Sequence, residues 1–519
     1  MPLNTQQRTA IEAGLMKTHH MLVSAKAGTG KTTLLRTLAE RVLEKNKNAS
    51  IIYLAFNTRI KNEASKKLPQ AVTVETCNSR GMKTVRSIQR NVKMDQYKSN
   101  RIAREFVDAM ELYDMPVADM KEKVSRLAKL ANLVRLTLNR DVLGLADRYG
   151  IELHEGEDQE VIELVRLITN DTKTIDFVDQ IYRPAVFDQY HFEKFDYVMV
   201  DECQDLSVAQ QRFIQKLVKP GGIMVFVGDP RQAIYGFAGA DAMSFERLKE
   251  IEGIKEYPLN QCYRCDRNII KLANEIDPDI KAWDGAGEGV VDRKAKVSDI
   301  RDGDLVVCRN TLPLVTLCYK LIGEGRKAFV MGRNIASTLI NFIDKSKARG
   351  AQQLFSWMDQ QPARLLAQLQ KLYPQATPED LQEKRVYIDL QERVKIIKYI
   401  AVKDSANTTA QIKAAIDRIF NGPEEGVALG TIHRVKGEEY PRVLMLDPDL
   451  LPSKWAKQPW QLVQEDNLAY VAYTRAQNYF GFISDWSGQD QANEMIPDAI
   501  TTAVPPRPDM KVNDLSTLF

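Results

Sequence analysis

The run Ala25-Lys26-Ala27-Gly28-Thr29-Gly30-Lys31-Thr32-Thr33 sets small residues before a lysine and two hydroxyls. That spacing suits a polyphosphate, because small residues let consecutive backbone N–H groups turn inward around an anion. Lys31 would reach the β- and γ-phosphates of ATP, and the Thr32 hydroxyl would hold Mg²⁺. Such a loop needs a strand before it and a helix after it. Met21–Ala25 reads as the strand, and Lys31–Glu44 as a helix with Leu34, Leu35, Leu38 and Val42 on one face. The helix N-terminus adds its own attraction for anions.

A second chemical cluster lies at Asp201-Glu202-Cys203-Gln204-Asp205, directly after the apolar run Tyr197–Val200. Two carboxylates at the end of a buried strand suit metal binding and water activation, with Asp201 holding Mg²⁺ and Glu202 taking a proton from the attacking water. The next apolar run, Ile223–Val227, leads into Gly228-Asp-Pro-Arg231-Gln232-Ala-Ile-Tyr235-Gly-Phe237. Gln232, one loop from the carboxylates, is a candidate γ-phosphate sensor. Tyr235 and Phe237 sit in a Gly-rich loop, where stacking on nucleic-acid bases and anchoring into the core are both open uses.

The elements that must position these residues are short apolar runs ending in Gly, Asp or Thr: Met21–Ala25, Ile51–Phe56, Tyr197–Val200, Ile223–Val227, Leu305–Cys308 and Val443–Leu446. Alternating with helical patterns, they read as buried parallel strands. They form two groups, about 21–227 and 305–446, each interrupted by a helix-patterned stretch, about 80–195 and 336–423. Capping boxes at Thr377-Pro-Glu-Asp380 and Thr408-Thr-Ala-Gln411 mark helix starts in the second stretch. The expected fold is α/β, with two parallel-sheet cores that each carry a largely helical insertion.

The 519 residues are too many for one ordinary core. A net charge of +3 announces no nucleic-acid binder by itself, so a phosphate-tracking surface must come from local arrangement. The six cysteines are too sparse for a disulfide framework, which favours a reducing, cytoplasmic setting. Cys262-Tyr-Arg-Cys265 has the spacing of half a zinc site, but a second pair is missing and no histidine lies nearby. No apolar run reaches membrane-spanning length, and the N-terminus has no secretion-signal pattern.

Taken together, the motifs resemble those of superfamily 1 DNA helicases of the UvrD/Rep type. Leu3-Asn4-Thr-Gln-Gln7 is similar to the Q motif, the phosphate loop to motif I, Asp201–Asp205 to motif II and Val227–Ala240 to motif III. Leu259-Asn-Gln-Cys-Tyr263-Arg264 resembles motif IV, followed by Val307-Cys-Arg309-Asn310. Gly430–Val443 resembles motif V and Glu465–Ala476 motif VI. The resemblance implies two RecA-like motor domains, with a nucleotide contacted by the loop residues Ala25 to Thr33. Gln7 would read the adenine edge and Tyr263 would stack on it. Glu439 would contact the ribose, while Arg264 and Arg475 would approach the γ-phosphate from the opposite domain. It implies an ATP-dependent DNA helicase and single-strand translocase of 3′-to-5′ polarity in replication, repair or recombination, working on single-stranded DNA and duplex junctions.

The expected division is 1–80 and 196–250 for the first motor domain, with 81–195 as its insertion. Residues 251–335 and 424–486 form the second, with 336–423 as a short insertion and 487–519 as a tail. The sequence departs from the family pattern at Ala25 and Lys26, at Cys262, at Phe237, and at Cys77-Asn78. Thr58, Arg59 and Asn62, in the loop after the second strand, resemble motif Ia and would bind DNA phosphates. The segment 80–104 has eight cations (Arg80, Lys83, Arg86, Arg90, Lys93, Lys98, Arg101, Arg104) against Asp95 alone, a candidate electrostatic rail. His433 would link DNA contact to the ATP site. The ending Asp514-Leu-Ser-Thr-Leu518-Phe519 weakly resembles a partner-binding tail, and a monomer is expected. The competing reading is a DNA-bound ATP switch that does not unwind, favoured by the short second insertion.

Overall fold

The computed structural model describes residues 2–110, 115, 117–149, 151, 153–234, 243–372, 375–454, 456 and 459–486. The first strands are β1 (His20–Ala25), β2 (Ile51–Ala55), β3 (Val72–Thr76), the two-residue pair β4 (Lys93–Met94) and β5 (Thr174–Ile175), β6 (Phe195–Val200), β7 (Val218–Gly228) and β8 (Ile254–Leu259). They are followed by β9 (Gln261–Cys262), β10 (Lys281–Ala282), β11 (Val290–Ala295), β12 (Leu305–Cys308), β13 (Ala328–Val330), β14 (Val427–Thr431), β15 (Tyr440–Leu446) and β16 (Ala476–Ile483). Among the helices, α1 (Thr5–Met16), α2 (Lys31–Lys45), α3 (Thr58–Lys67) and α4 (Cys77–Arg86) lie between or beside the first strands. Then come α5 (Lys98–Asp108), α6 (Val117–Thr137), α7 (Val142–Arg148), α8 (Glu157–Asn170) and α9 (Asp179–Val186).

The chain divides into two compact units, one formed by residues 1–295, 435–445 and 449–482, the other by 296–434, 446–448 and the described residues from 483. In the first unit a six-stranded sheet runs in the order β3-β2-β6-β7-β1-β8. All five of its pairings are parallel. Side chains alternate along its strands, as a pleated backbone dictates. Met21, Val23, Ile51, Tyr53, Met199 and Val225 join Leu34, Leu35 and Leu38 of α2 in one core. Leu22, Ile52, Leu54, Val198, Val200 and Phe226 face the other way, onto Phe213 and Leu217. Both faces are thus covered, which explains the continuous apolar runs read in the sequence.

The two edge strands of this sheet, β3 and β8, were not legible, and β8 shows why. Its sequence Ile-Lys-Glu-Tyr-Pro-Leu carries charges and a proline, the pattern of an edge strand that needs few ladder bonds. The strands of the second sheet likewise extend beyond the expected 305–446. In the first unit its members run β11-β16-β15. In the second unit β12 and β13 each pair with β14 in parallel.

The stretch between β3 and β6 is helical apart from the β4–β5 pair, with its own core around Leu127, Ala131, Leu164 and Ile168. In the second unit helices run at Leu312–Gly323, Arg333–Lys345, Ala351–Leu372, Pro378–Gln382, Arg385–Lys403 and Thr409–Asn421. Both expected capping boxes form, at Thr377 and Thr408.

Candidate nucleotide site

The phosphate loop follows β1 and ends on α2, whose N-cap is Gly30. Gly28 and Gly30 both adopt left-handed backbone, with φ of 67° and 82°. That conformation turns successive N–H groups to one side, and glycine reaches it without steric cost. A Cβ on Gly28 would sit 2.7 Å from both Arg264 Cβ and Cys262 Sγ, so the loop lies tightly against that segment. The Gly28 carbonyl accepts the Tyr263 N–H at 2.9 Å. Thr32 is half-buried and Thr33 exposed. The Ala27 N–H donates to the Tyr470 hydroxyl at 3.1 Å.

Lys31 Nζ lies 3.5 Å from Glu202 Oε2. Burial works against its charge, but Glu202, Asp229 and Asp201 together hold its pKa above the ordinary lysine value. Glu202 has φ of 54°, a left-handed conformation that a non-glycine residue adopts at some cost. The Gln204 amide donates to Glu202 Oε2 at 2.6 Å. Burial pushes the Glu202 carboxyl up, yet Lys31, Lys436 and that amide outweigh it and keep the group below the usual carboxylate range. Asp201 shows the opposite balance: burial, and then the Glu202 charge, push it up. The Tyr53 hydroxyl donates to Asp201 Oδ2 at 2.6 Å. Two adjacent carboxylates therefore have unlike proton affinities, with Glu202 the ionised base.

Gln232 is buried, and its amide donates to Asp229 Oδ2 at 2.8 Å. Lys436 bridges Asp205 at 2.5 Å and the Gln232 carbonyl at 2.6 Å. Burial lifts Asp205 to about 6 against the pull of Lys436. Arg264 Nε pairs with Glu439 Oε2 at 2.6 Å, so two residues with separate expected roles meet here. Arg475 is buried and donates to the carbonyls of Val471 (3.0 Å) and Glu438 (3.1 Å). Burial and the Arg264 charge lower its guanidinium to about 10.

Gln7 closes a capping box with Asn4 and donates its amide to the Thr29 carbonyl at 3.0 Å. Its side chain braces α1 against the loop, so reading an adenine edge would replace one of these bonds. Beside it, the Asn4 amide and the Tyr263 hydroxyl both donate to Gln261 Oε1 at 3.1 Å. The Tyr263 ring packs on Trp283, with centroids 6.2 Å apart.

The expected DNA contacts are placed differently from the reading. Thr58, Arg59 and Asn62 lie in α3, capped by Asn57, and not in a loop. Arg59 is paired with Glu63 and Glu438. Of the expected rail, Arg80 is buried against Glu75 and Glu193, Lys83 pairs with Glu75, and Arg101 with Asp95, Glu105 and Asp171. Lys98 is fully buried on Asp179. Half of those cations are thus engaged by acids, all but Asp95 of them from outside the segment. His433 belongs to the second unit, in the turn after β14. Tyr235, Phe237 and the 514–519 ending lie outside the described residues.

Sequence reasoning assigned no role to Tyr53, Asp229, Trp283, Lys436 or Tyr470. The one signal for Tyr53 and Tyr470 was a phenol within an apolar run, whose hydroxyl needs a partner when buried.

The residues suit ATP and Mg²⁺. Among the described residues the loop N–H groups of Gly28, Gly30 and Lys31 meet no backbone acceptor, and Lys31 holds its acid only loosely. Thr32 and Asp201 offer hard oxygen donors, which match Mg²⁺ completed by phosphates and water. Among the described residues no helix is long and apolar enough to cross a membrane.

Residues 3–251 match the model of the UvrD/REP helicase N-terminal domain, and residues 327–485 that of the UvrD-like helicase C-terminal domain. The chain is 26% identical over 293 residues to F-box DNA helicase protein 1 of Schizosaccharomyces pombe, covering 52% of this chain and 32% of that protein. It is 26% identical over 305 residues to DNA helicase II of Salmonella typhimurium, covering 53% and 40%. With ATP-dependent DNA helicase UvrD1 of Mycobacterium leprae it shares 26% over 337 residues, covering 55% and 41%. The matched part spans well under half of each of these relatives. Two family models in the expected order, laid over a site with these carboxylates and this loop, make the chain a member of the UvrD/Rep family of superfamily 1 helicases.

Proposed function

We propose that the chain is a DNA-stimulated ATPase that moves along single-stranded DNA with 3′-to-5′ polarity and unwinds duplex ahead of it. The observation that carries this reading is the phosphate loop with Lys31 3.5 Å from Glu202 at the strand end and with Arg264 packed against Gly28. The relatives' names, all DNA helicases, point the same way. In this reading residues 1–80 with 196–250, and 251–335 with 424–486, are the two motor domains; 81–195 and 336–423 are their insertions.

Lys31 and the loop N–H groups bind the β- and γ-phosphates, with Thr32 and Asp201 as Mg²⁺ ligands. Bound Mg²⁺ supplies charge neutralisation on the phosphate oxygens. Glu202, kept ionised, accepts a proton from the attacking water, and Gln204 fixes its carboxylate. Gln232 reports the γ-phosphate to Asp229 and, through its carbonyl, to Lys436. Arg264 leaves Glu439 for the γ-phosphate, freeing Glu439 for the ribose. Arg475 stabilises charge in the transition state, an effect typically worth about 10³–10⁵ in turnover. Thr58, Arg59, Asn62, Tyr235, Phe237 and His433 contact the DNA strand.

The test is the ATPase rate with and without single-stranded DNA, alongside unwinding of tailed duplexes of both polarities. DNA stimulation with unwinding from a 3′ tail is expected. An ATPase indifferent to DNA would overturn the motor reading, and stimulation without strand separation would mark a switch.

A further inference from the structure

Lys26, the second residue of the phosphate loop, has a carbonyl that closes the loop and a side chain that leaves it. Lys26 Nζ meets Asp277 Oδ2 at 2.7 Å, with side chains only 9% and 2% exposed. Removing two charges from water is costly, and such a pair persists only with close geometry and further hydrogen bonds. Here the ion pair is close, and the backbones of both residues and Asp277 Oδ1 are separately hydrogen-bonded, so each charge relies on the other. The Lys26 N–H donates to the Leu259 carbonyl at 2.9 Å, and its carbonyl accepts the Thr29 hydroxyl at 2.8 Å. Asp277 Oδ1 accepts the Asp279 N–H at 3.2 Å, and the Asp277 N–H donates to the Ala273 carbonyl at 3.0 Å.

Asp277 follows the short helix Arg267–Ala273, which itself follows Tyr263 and Arg264. The segment 259–277 therefore touches the entry half of the loop three times: at Leu259, at Tyr263 through the Gly28 carbonyl, and at Asp277. Of these contacts only the last is ionic. The exit half, Gly30 to Thr32, is held instead by α2 and by Gln7 through Thr29.

We propose that Lys26 and Asp277 form a charge latch that presets the entry half of the phosphate loop for nucleotide, making both of them positioning residues for ATP binding. It is an ion pair separate from that of Lys31 with Glu202. Its loss leaves a buried ammonium or carboxylate without its counter-charge, and the loop shifts to rehydrate it. The N–H groups that cradle phosphate are then misaligned before ATP arrives, which weakens ground-state binding more than chemistry. The inference rests on the reading of this loop as the ATP site.

Steady-state ATPase kinetics of the full chain test it. Lys26→Met and Asp277→Asn are each expected to raise KM for ATP about tenfold while kcat changes by less than about threefold. The double variant is expected to be no worse than either single, since both remove one interaction. Lys26→Arg, which keeps the charge, is expected to keep KM near that of the parent and guards against mere misfolding. An unchanged KM in the single variants, additive losses in the double, or a Lys26→Arg defect equal to that of Lys26→Met would each overturn the latch. Lys31→Ala separates the two readings. Residual full turnover there overturns the site itself, whereas a dead Lys31→Ala beside unaffected latch variants overturns only the latch.

Discussion

The bond from the Tyr53 hydroxyl to Asp201 favours the ionised carboxylate, while burial and Glu202 oppose it. Asp201 must be ionised to take a cation, so kcat/KM for ATP should fall on the acid side at a pH above the ordinary carboxylate range. Tyr53→Phe removes a donor to the charged form, raising the Asp201 pKa further. The acid limb should therefore move to higher pH, and an unmoved limb in the pH profile of kcat/KM would assign it to another group. Lys31→Ala and Arg475→Ala should each abolish hydrolysis, as read by phosphate release. At this scale the loop and the Asp201-Glu202 pair were legible, because one strand and one turn make each. Tyr53, Asp229, Lys436 and Tyr470 were not, because they come from four separate stretches that only the folded chain assembles.

Among the elements, α5, α6 and α9 are locked by a buried ionic cluster. Asp179, fully buried, faces Lys98 at 2.7 Å, Arg135 at 2.9 Å and Arg183 at 3.3 Å, and Arg135 also meets Asp176 at 3.0 Å. Asp179→Ala would leave Lys98 and Arg183 without their carboxylate and Arg135 with Asp176 alone, and urea unfolding should show a loss of about 3–5 kcal/mol. In the loop, Gly28→Ala adds a Cβ at a left-handed residue already pressed on Arg264 and Cys262. It should weaken ATP binding in an equilibrium titration while leaving the sheet intact. Central strands such as β1, β6 and β7 could be read from their apolar runs because both sheet faces are covered. Edge strand β8 and the cations of 80–104 could not, since charge in a sequence looks alike whether it ends on the surface or against an acid 100 residues away.

For the whole molecule, ATP and Mg²⁺ binding only the folded state should raise its melting temperature. At 100 times Kd the gain is about 2.7 kcal/mol, and Lys31→Ala should show little of it in a thermal shift. The composition, with its charge of +3, gave no sign of nucleic-acid work; the order of motifs along the chain did. One further consequence follows from the Ala27–Tyr470 hydrogen bond, whose partners are 443 residues apart in the chain. During synthesis the loop leaves the ribosome long before its tyrosine exists. At ordinary translation speeds that delay is about 20–90 s, so the nucleotide site is among the last features of the newborn protein to be completed.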